Sequence, residues 1–134
     1  MNAKSNRGSL ISRIDKLIFE ILKTDRGFIC QIHNKQCGNI SPMHILSKRS
    51  HPRLRFNRKN IILAGWFCSH FWTHHDPDDE RAKFAFKRIE ELLGERYKEE
   101  LLKLEVCQPK HSMFYLKCLE LSLKKEKENK ETWQ

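Results

Sequence analysis

The stretch CQIHNKQCGNISPMHILSKRSHPRLRFNRKNIILAGWFCSHFWTHHDP, running from Cys30 to Pro77, decides the reading of this chain. From Phe28 to His75 there is no Asp or Glu. Seven cations stand in the same segment: Lys35, Lys48, Arg49, Arg53, Arg55, Arg58 and Lys59. They carry seven of the nine net positive charges of the 134-residue chain. Six of the seven histidines and three of the five cysteines lie there too. A basic, acid-free, His-rich segment calls for a polyanionic partner, and nucleic acid is the leading class.

Working outward, short apolar runs alternate with turns inside this segment. Phe28 to Ile32 reads as a strand or knuckle arm, Met43 to Leu46 as a second strand and Ile61 to Ala64 as a third, broken by Gly65. Ser47 to Asn60 is a basic loop, with six Lys or Arg in the twelve residues from Lys48 to Lys59. Trp66 to His75 can begin a helix, which Pro77 interrupts. The flanks are helical. Ser9 to Asp25 repeats Leu10, Ile14, Leu17, Ile18, Ile21 and Leu22 at helical spacing, with Ser9 as cap and Gly27 as terminator. Asp78 to Leu93, Glu95 to Val106 and Ser112 to about Lys127 follow as three more helices, the last ending in a sign-alternating tail. The expectation is an α+β fold in which a small β-containing insert is wrapped by helices.

Composition narrows the class further. With 39% hydrophobic and 32% charged residues, full disorder and a disulfide-dense mini-protein are both excluded. No window approaches ~18 consecutive apolar residues, so no membrane-spanning helix is expected. Residues 1–9 lack the apolar region of a signal peptide, and we expect an intracellular protein with reduced cysteines.

His70 and His74 are four residues apart, so on a helix they share a face and can converge on one divalent ion. Alone, that pair is as readily two exposed histidines beside Phe71 and Trp72. The order His44, Asn60, His70-x3-His74, with Cys30 and Cys37 upstream and Arg-rich spacing between, is more specific. On these residues the chain resembles the HNH (ββα-metal) nuclease superfamily. It is most similar to small phage HNH endonucleases of the NinG/Rap recombination type. The matching pieces are His44-Ile-Leu-Ser-Lys-Arg, Arg53-Leu-Arg-Phe-Asn, Asn60-Ile-Ile-Leu and His70-Phe-Trp-Thr-His74-His-Asp-Pro77. The resemblance covers roughly Cys30 to Pro77.

The resemblance implies a small ββα-metal, treble-clef-like core over residues 28–77. An amphipathic helix in 1–27 and a helical extension in 78–134 would complete one compact domain. It implies a metal-dependent DNA endonuclease of phage or prophage origin, at work in the cytoplasm of a bacterial host, possible substrates being duplex DNA and branched recombination intermediates. His44 would be the general base that activates water, and Asn60 would brace the catalytic loop. His70 and His74, with His75 as substitute, would hold Mg²⁺, Mn²⁺ or Zn²⁺. Lys48, Arg49, Arg53, Arg55, Arg58 and Lys59 would clamp phosphates. Met43 stands where many relatives carry a further Asp or His ligand.

Zinc-braced relatives carry two Cys-x2-Cys knuckles. Here the first is Cys30-x2-His33, with Cys37 as an alternative ligand. In the second, Gly65 takes the place of the partner of Cys68. Four cysteines from two such knuckles are excluded. A structural zinc on Cys30, Cys68 and either His33 or Cys37 leaves its fourth ligand unnamed. A catalytically inactive HNH-like module binding DNA or a protein partner is the alternative, and an RNA-directed version is a third.

The remaining residues have plainer expectations. Cys107 and Cys118 read as buried inert thiols. His111 reads as a surface or capping residue. His51 reads as a phosphate contact or a loop residue without a role. Trp66, Phe67, Phe71 and Trp72 are expected to pack the short helix on the hairpin, with stacking on bases as the alternative. The outer helices leave intramolecular packing and a homodimer both open.

Overall fold

The computed structural model describes residues 3–66, 68 and 78–132. Among the described residues four α-helices and one two-stranded antiparallel sheet make an α+β protein. The chain divides into two units, one formed by Met1–Gly27 with Pro109–Gln134, the other by Phe28–Gln108.

The first unit is a pair of helices, α1 (Ala3–Arg26) and the final helix of the chain, Met113–Thr132. Leu10, Ile14, Ile18, Ile21 and Leu22 of α1 are buried along one stripe, and Leu116 and Leu123 are buried on the other helix. Glu120 is buried as well, and a buried carboxylate needs a partner. Arg13 supplies it, with Nε donating to Oε2 at 2.6 Å. The guanidinium bond holds the Glu120 carboxyl below its ordinary range. A second pair, Lys130 Nζ to Asp25 Oδ1 at 2.6 Å, lies further along both helices. Both sequence numbers rise between the two pairs, so the helices run parallel.

Both helices outrun their expected limits. α1 begins at Ala3, because Ser9 does not cap it: the Ser9 hydroxyl accepts from Arg13 Nη1 at 3.0 Å instead. Gly27, at φ 81°, closes the helix in a conformation that a side chain would oppose. The final helix starts where Ser112 Oγ accepts from Tyr115 N and continues to Thr132. Its alternating charges pair one turn apart, as Lys130–Glu126 and Lys127–Glu131. Cys118, expected to be buried, is exposed, because it lies about half a turn from Leu116 and so faces away from the seam. Cys107 is exposed too, just past the end of its helix.

The second unit is built around β1 (Ile40–His44) and β2 (Ile61–Gly65). Ile40 lies opposite Gly65 and His44 opposite Ile61. The first strand sits earlier than expected. Ser41 and Pro42 suggest a turn, but a two-stranded sheet has only edges, where the missing N–H of Pro42 is tolerated. All five residues of β2 are buried, which matches its unbroken apolar run. Phe28 to Ile32 is no strand. It leads into a tight turn over residues 30–35, closed by Cys30 N to Lys35 O at 2.9 Å, with Asn34 at φ 55°.

α2 (Glu80–Leu93) is capped by Asp79, whose carboxylate accepts from Arg81 N at 2.8 Å. It buries Ala82, Ala85 and Ile89. α3 (Tyr97–Val106) buries Tyr97 and Leu101. We number the final helix, Met113–Thr132, α4. Trp66, expected in the core, is 60% exposed, while Phe67, Phe71 and Trp72 lie outside the described residues. Among the described residues no helix is long and apolar enough to cross a membrane.

Candidate metal centre and the loop beside it

Four donor atoms from three parts of the second unit converge. They are the sulfurs of Cys30, Cys37 and Cys68 and a ring nitrogen of His33, all within 4.8 Å of one another. Cys30 Sγ lies 3.6 Å from Cys68 Sγ and 3.8 Å from His33 Nδ1, and Cys68 Sγ lies 3.0 Å from His33 Nδ1. Zinc–sulfur and zinc–nitrogen bonds of ordinary length place tetrahedral ligands about 3.6–3.8 Å apart. The two Cys30 distances match that spacing and Cys68–His33 is shorter, so the four residues could hold a metal ion after a small adjustment. His33 and Cys37, left as alternatives by the sequence, both belong to this set.

The tight turn after Cys30 explains how. Asn34 N donates to Cys30 O at 2.7 Å, and this reversal brings His33 back over its own cysteine. The His33 ring stacks on Phe84 of α2 at 5.2 Å between centroids, with 19° between planes, which sets the direction of Nδ1. Gln31 fastens the turn to the sheet, its N donating to Leu63 O and its Oε1 accepting from Leu63 N, both at 2.7 Å. Arg88 Nε of α2 donates to Gln31 O at 3.1 Å.

Gly65 has a role that its place in the cysteine spacing hides. A Cβ there would stand 2.1 Å from Cys37 O and 2.8 Å from Cys37 Cβ. The backbone of Cys37 lies against β2 at this point, and only glycine admits it. The position that reads as a missing ligand is the opening through which another ligand arrives. We expect Gly65→Ala to push Cys37 away from the other three donors. Overpacking against backbone should cost about 1–3 kcal/mol of stability. Competition with a chromophoric zinc chelator should show weaker metal retention than the wild type, and equal retention would contradict this role.

The thiols are electrostatically unequal. Burial disfavours a charge on Cys30, but backbone N–H groups of Gly65 and His33, the His33 ring and Cys68 bring its pKa down to about 7. Burial and the bond to Cys30 push Cys68 up to about 12. Burial and the nearby Cys30 charge also raise Cys37. N–H donors aimed at a sulfur are the outer-layer support that a metal-bound thiolate uses.

The connection between the strands forms a second cluster. His44 ends β1, and its Nε2 lies 2.8 Å from Arg55 O. A carbonyl only accepts, so Nε2 carries the proton and a neutral ring has its lone pair on Nδ1. Asn60, fully buried, pins the same loop. Its Oδ1 accepts from Leu46 N at 2.8 Å, and its Nδ2 donates to Leu46 O at 3.0 Å and Leu54 O at 3.4 Å. Ile45 N donates to Asn60 O at 2.9 Å. One side chain thus ties together the start, middle and end of residues 46–60.

The basic residues all ride on this connection. Lys48, Arg49 and Lys59 are exposed, and Arg53, Arg55 and Arg58 are partly so. Among the described residues Lys48, Arg49, Arg53 and Lys59 have no acidic partner. The Arg55 guanidinium lies 5.8 Å from the Phe56 ring centroid. His51, left without a settled role by the sequence, meets Glu105 of α3, Nδ1 to Oε2, at 2.6 Å. His70, His74 and His75 lie outside the described residues.

No family model, curated protein or solved structure matches this chain. The functional reading therefore rests on the residues and their geometry.

Proposed function

We propose that the chain is a metal-dependent HNH-type DNA endonuclease built on a zinc-braced ββα core, with a phage or prophage origin and a role in recombination. One observation carries the reading. A histidine at the end of a strand has its proton held on Nε2 by a backbone carbonyl, in a loop locked by a buried asparagine and studded with cations. An imidazole titrates near neutral pH, and with its proton on Nε2 the basic atom is Nδ1, the group that a general base for water requires. The loop cations would bind the phosphates on either side of the scissile bond.

His44 is the general base in this account, and Asn60 a positioning residue that keeps the carbonyl of Arg55 in place. His70 and His74, with His75 in reserve, would hold the catalytic divalent ion. When bound, that ion neutralises the phosphate and stabilises the departing 3′ oxygen. The products would carry 5′-phosphate and 3′-hydroxyl ends. Cys30, His33, Cys37 and Cys68 would hold a structural zinc.

Nicking of supercoiled plasmid with and without added Mg²⁺ or Mn²⁺ tests the reading. Metal-dependent nicks that a ligase can reseal are expected. A second reading has its own support: Met43 is apolar and buried beside His44, and no carboxylate occurs from residue 28 to 75. It makes the chain an inactive HNH-like module, and binding without nicking under any metal would favour it.

Either reading predicts salt-sensitive binding. If the loop neutralises ~5 phosphates of duplex DNA, log K against log salt should have a slope near −4 to −5. A salt-independent affinity would remove the loop from the interface.

A further inference from the structure

Among the described residues, side chains of Asn60 and Glu105 both anchor the strand-to-strand loop, and Glu105 comes from the C-terminal part of the unit. Asn60 holds the loop from β2. Glu105, on the last turn of α3, holds it through His51 at 2.6 Å. Both side chains of this pair are only about a quarter exposed, 26% and 25%. The bond spans 54 positions of sequence and reaches a segment that has no acid of its own between residues 28 and 75.

His51 stands at a hinge in the loop's hydrogen bonding. Its N–H donates to Ser47 O at 2.8 Å and its carbonyl accepts from Leu54 N at 3.0 Å. The short helical turn Pro52–Leu54 therefore begins on His51, and no side chain caps it. Arg55 N donates to Pro52 O at 3.2 Å, which completes that turn. The carbonyl of the same Arg55 receives His44 Nε2–H. A continuous path of bonds thus runs from Glu105 through His51 and one short turn to the ring of His44. The carboxylate only accepts, so His51 Nδ1 carries a proton in this pair.

We propose that Glu105 is a positioning residue that sets the His44 ring through His51 and the Pro52–Arg55 turn. The role in cleavage rests on the nuclease reading above. The structural coupling itself does not. Without Glu105 the turn keeps its Asn60 tether at Leu54 O and the backbone bond from His51 N to Ser47 O, but loses the side-chain tether at its start. The Arg55 carbonyl then wanders relative to His44, and the imidazole loses its fixed tautomer.

The test reads the His44 ring directly. In ¹⁵N-histidine-labelled, zinc-loaded protein, wild type should show His44 as the Nε2–H tautomer. Glu105→Ala should shift that spectrum toward a tautomer mixture and speed amide exchange at Leu54 and Arg55. Glu105→Gln keeps an acceptor oxygen and should restore both signals. His51→Ala should reproduce Glu105→Ala, and the double variant should add little, as expected for two residues of one interaction. Zinc content and circular dichroism should match wild type in each variant. In single-turnover cleavage Glu105→Ala should fall roughly 10–100-fold, the scale of an ångström-sized misplacement, while DNA affinity is retained. A His44 spectrum and loop exchange unchanged in Glu105→Ala would overturn the proposal. Absence of cleavage by wild type would overturn the nuclease reading alone, because the spectrum still decides whether Glu105 sets His44.

Discussion

Zinc removal is expected to unfold the unit Phe28–Gln108. The residues that could hold the metal come from the turn after Cys30, from Cys37 beside β2, and from Cys68 beyond that strand. The hydrogen-bonded sheet holding them together has only two strands of five residues. A two-stranded sheet alone is marginal in water. Structural zinc in comparable small sites binds with an apparent free energy of about 10–16 kcal/mol, and that energy is folding energy when the site does not exist in the unfolded chain. Chelation should therefore abolish cooperative unfolding of this unit. Cys68→Ser should do the same without chelator. Native mass spectrometry should find one zinc per chain in wild type and none in the variant. A wild type purified without metal that keeps its dispersed amide spectrum would contradict the brace.

The second large effect falls on chemistry. His44→Ala should slow cleavage by about 10²–10⁴-fold, the range that a positioned general base supplies. Affinity for DNA should change little, because the loop cations and not His44 supply the phosphate contacts in this account. Folding should survive as well. His44 is only partly buried, and its removal leaves Asn60 bonded to Leu46 and Leu54. A rate loss accompanied by an equal loss of affinity would assign His44 to binding instead.

The sequence showed much of this in outline. The helical stripe of α1 was legible from spacing, and Gly27 marked its end. β2 was legible as an apolar run. β1 was misplaced because Ser41 and Pro42 are turn formers by local preference, whereas the edge position in the sheet tolerates both. The C-terminal end of α4 is extended by ion pairs one turn apart, which local capping rules do not weigh.

At the metal centre the residue types were legible and the assembly was not. Cys30, His33, Cys37 and Cys68 could be singled out, but spacing alone left His33 and Cys37 as alternatives. Their joint use depends on the chain reversal at Asn34 and on the contact between Cys37 and Gly65. A glycine that replaces an expected cysteine reads as loss until the neighbouring backbone is seen. Cys118 shows the reverse error. Its apolar sequence neighbours suggested burial, yet its angle on the helix points it outward. Glu105 carried no sequence signal at all, since its partner His51 is 54 residues away.

The account rests most heavily on His44 acting as a base at a phosphodiester. The direct measurement is single-turnover cleavage of supercoiled plasmid and of a four-way junction by zinc-loaded wild type and His44→Ala. Both proteins are brought to saturation with DNA, and Mg²⁺ or Mn²⁺ is either added or left out. Chelator is avoided, because it would strip the proposed structural zinc and confuse unfolding with loss of catalysis. The account predicts cleavage by wild type only when Mg²⁺ or Mn²⁺ is added, and its near-complete loss in His44→Ala despite equal binding. Equal cleavage by both proteins, or none by a wild type that binds DNA under every metal, would contradict it.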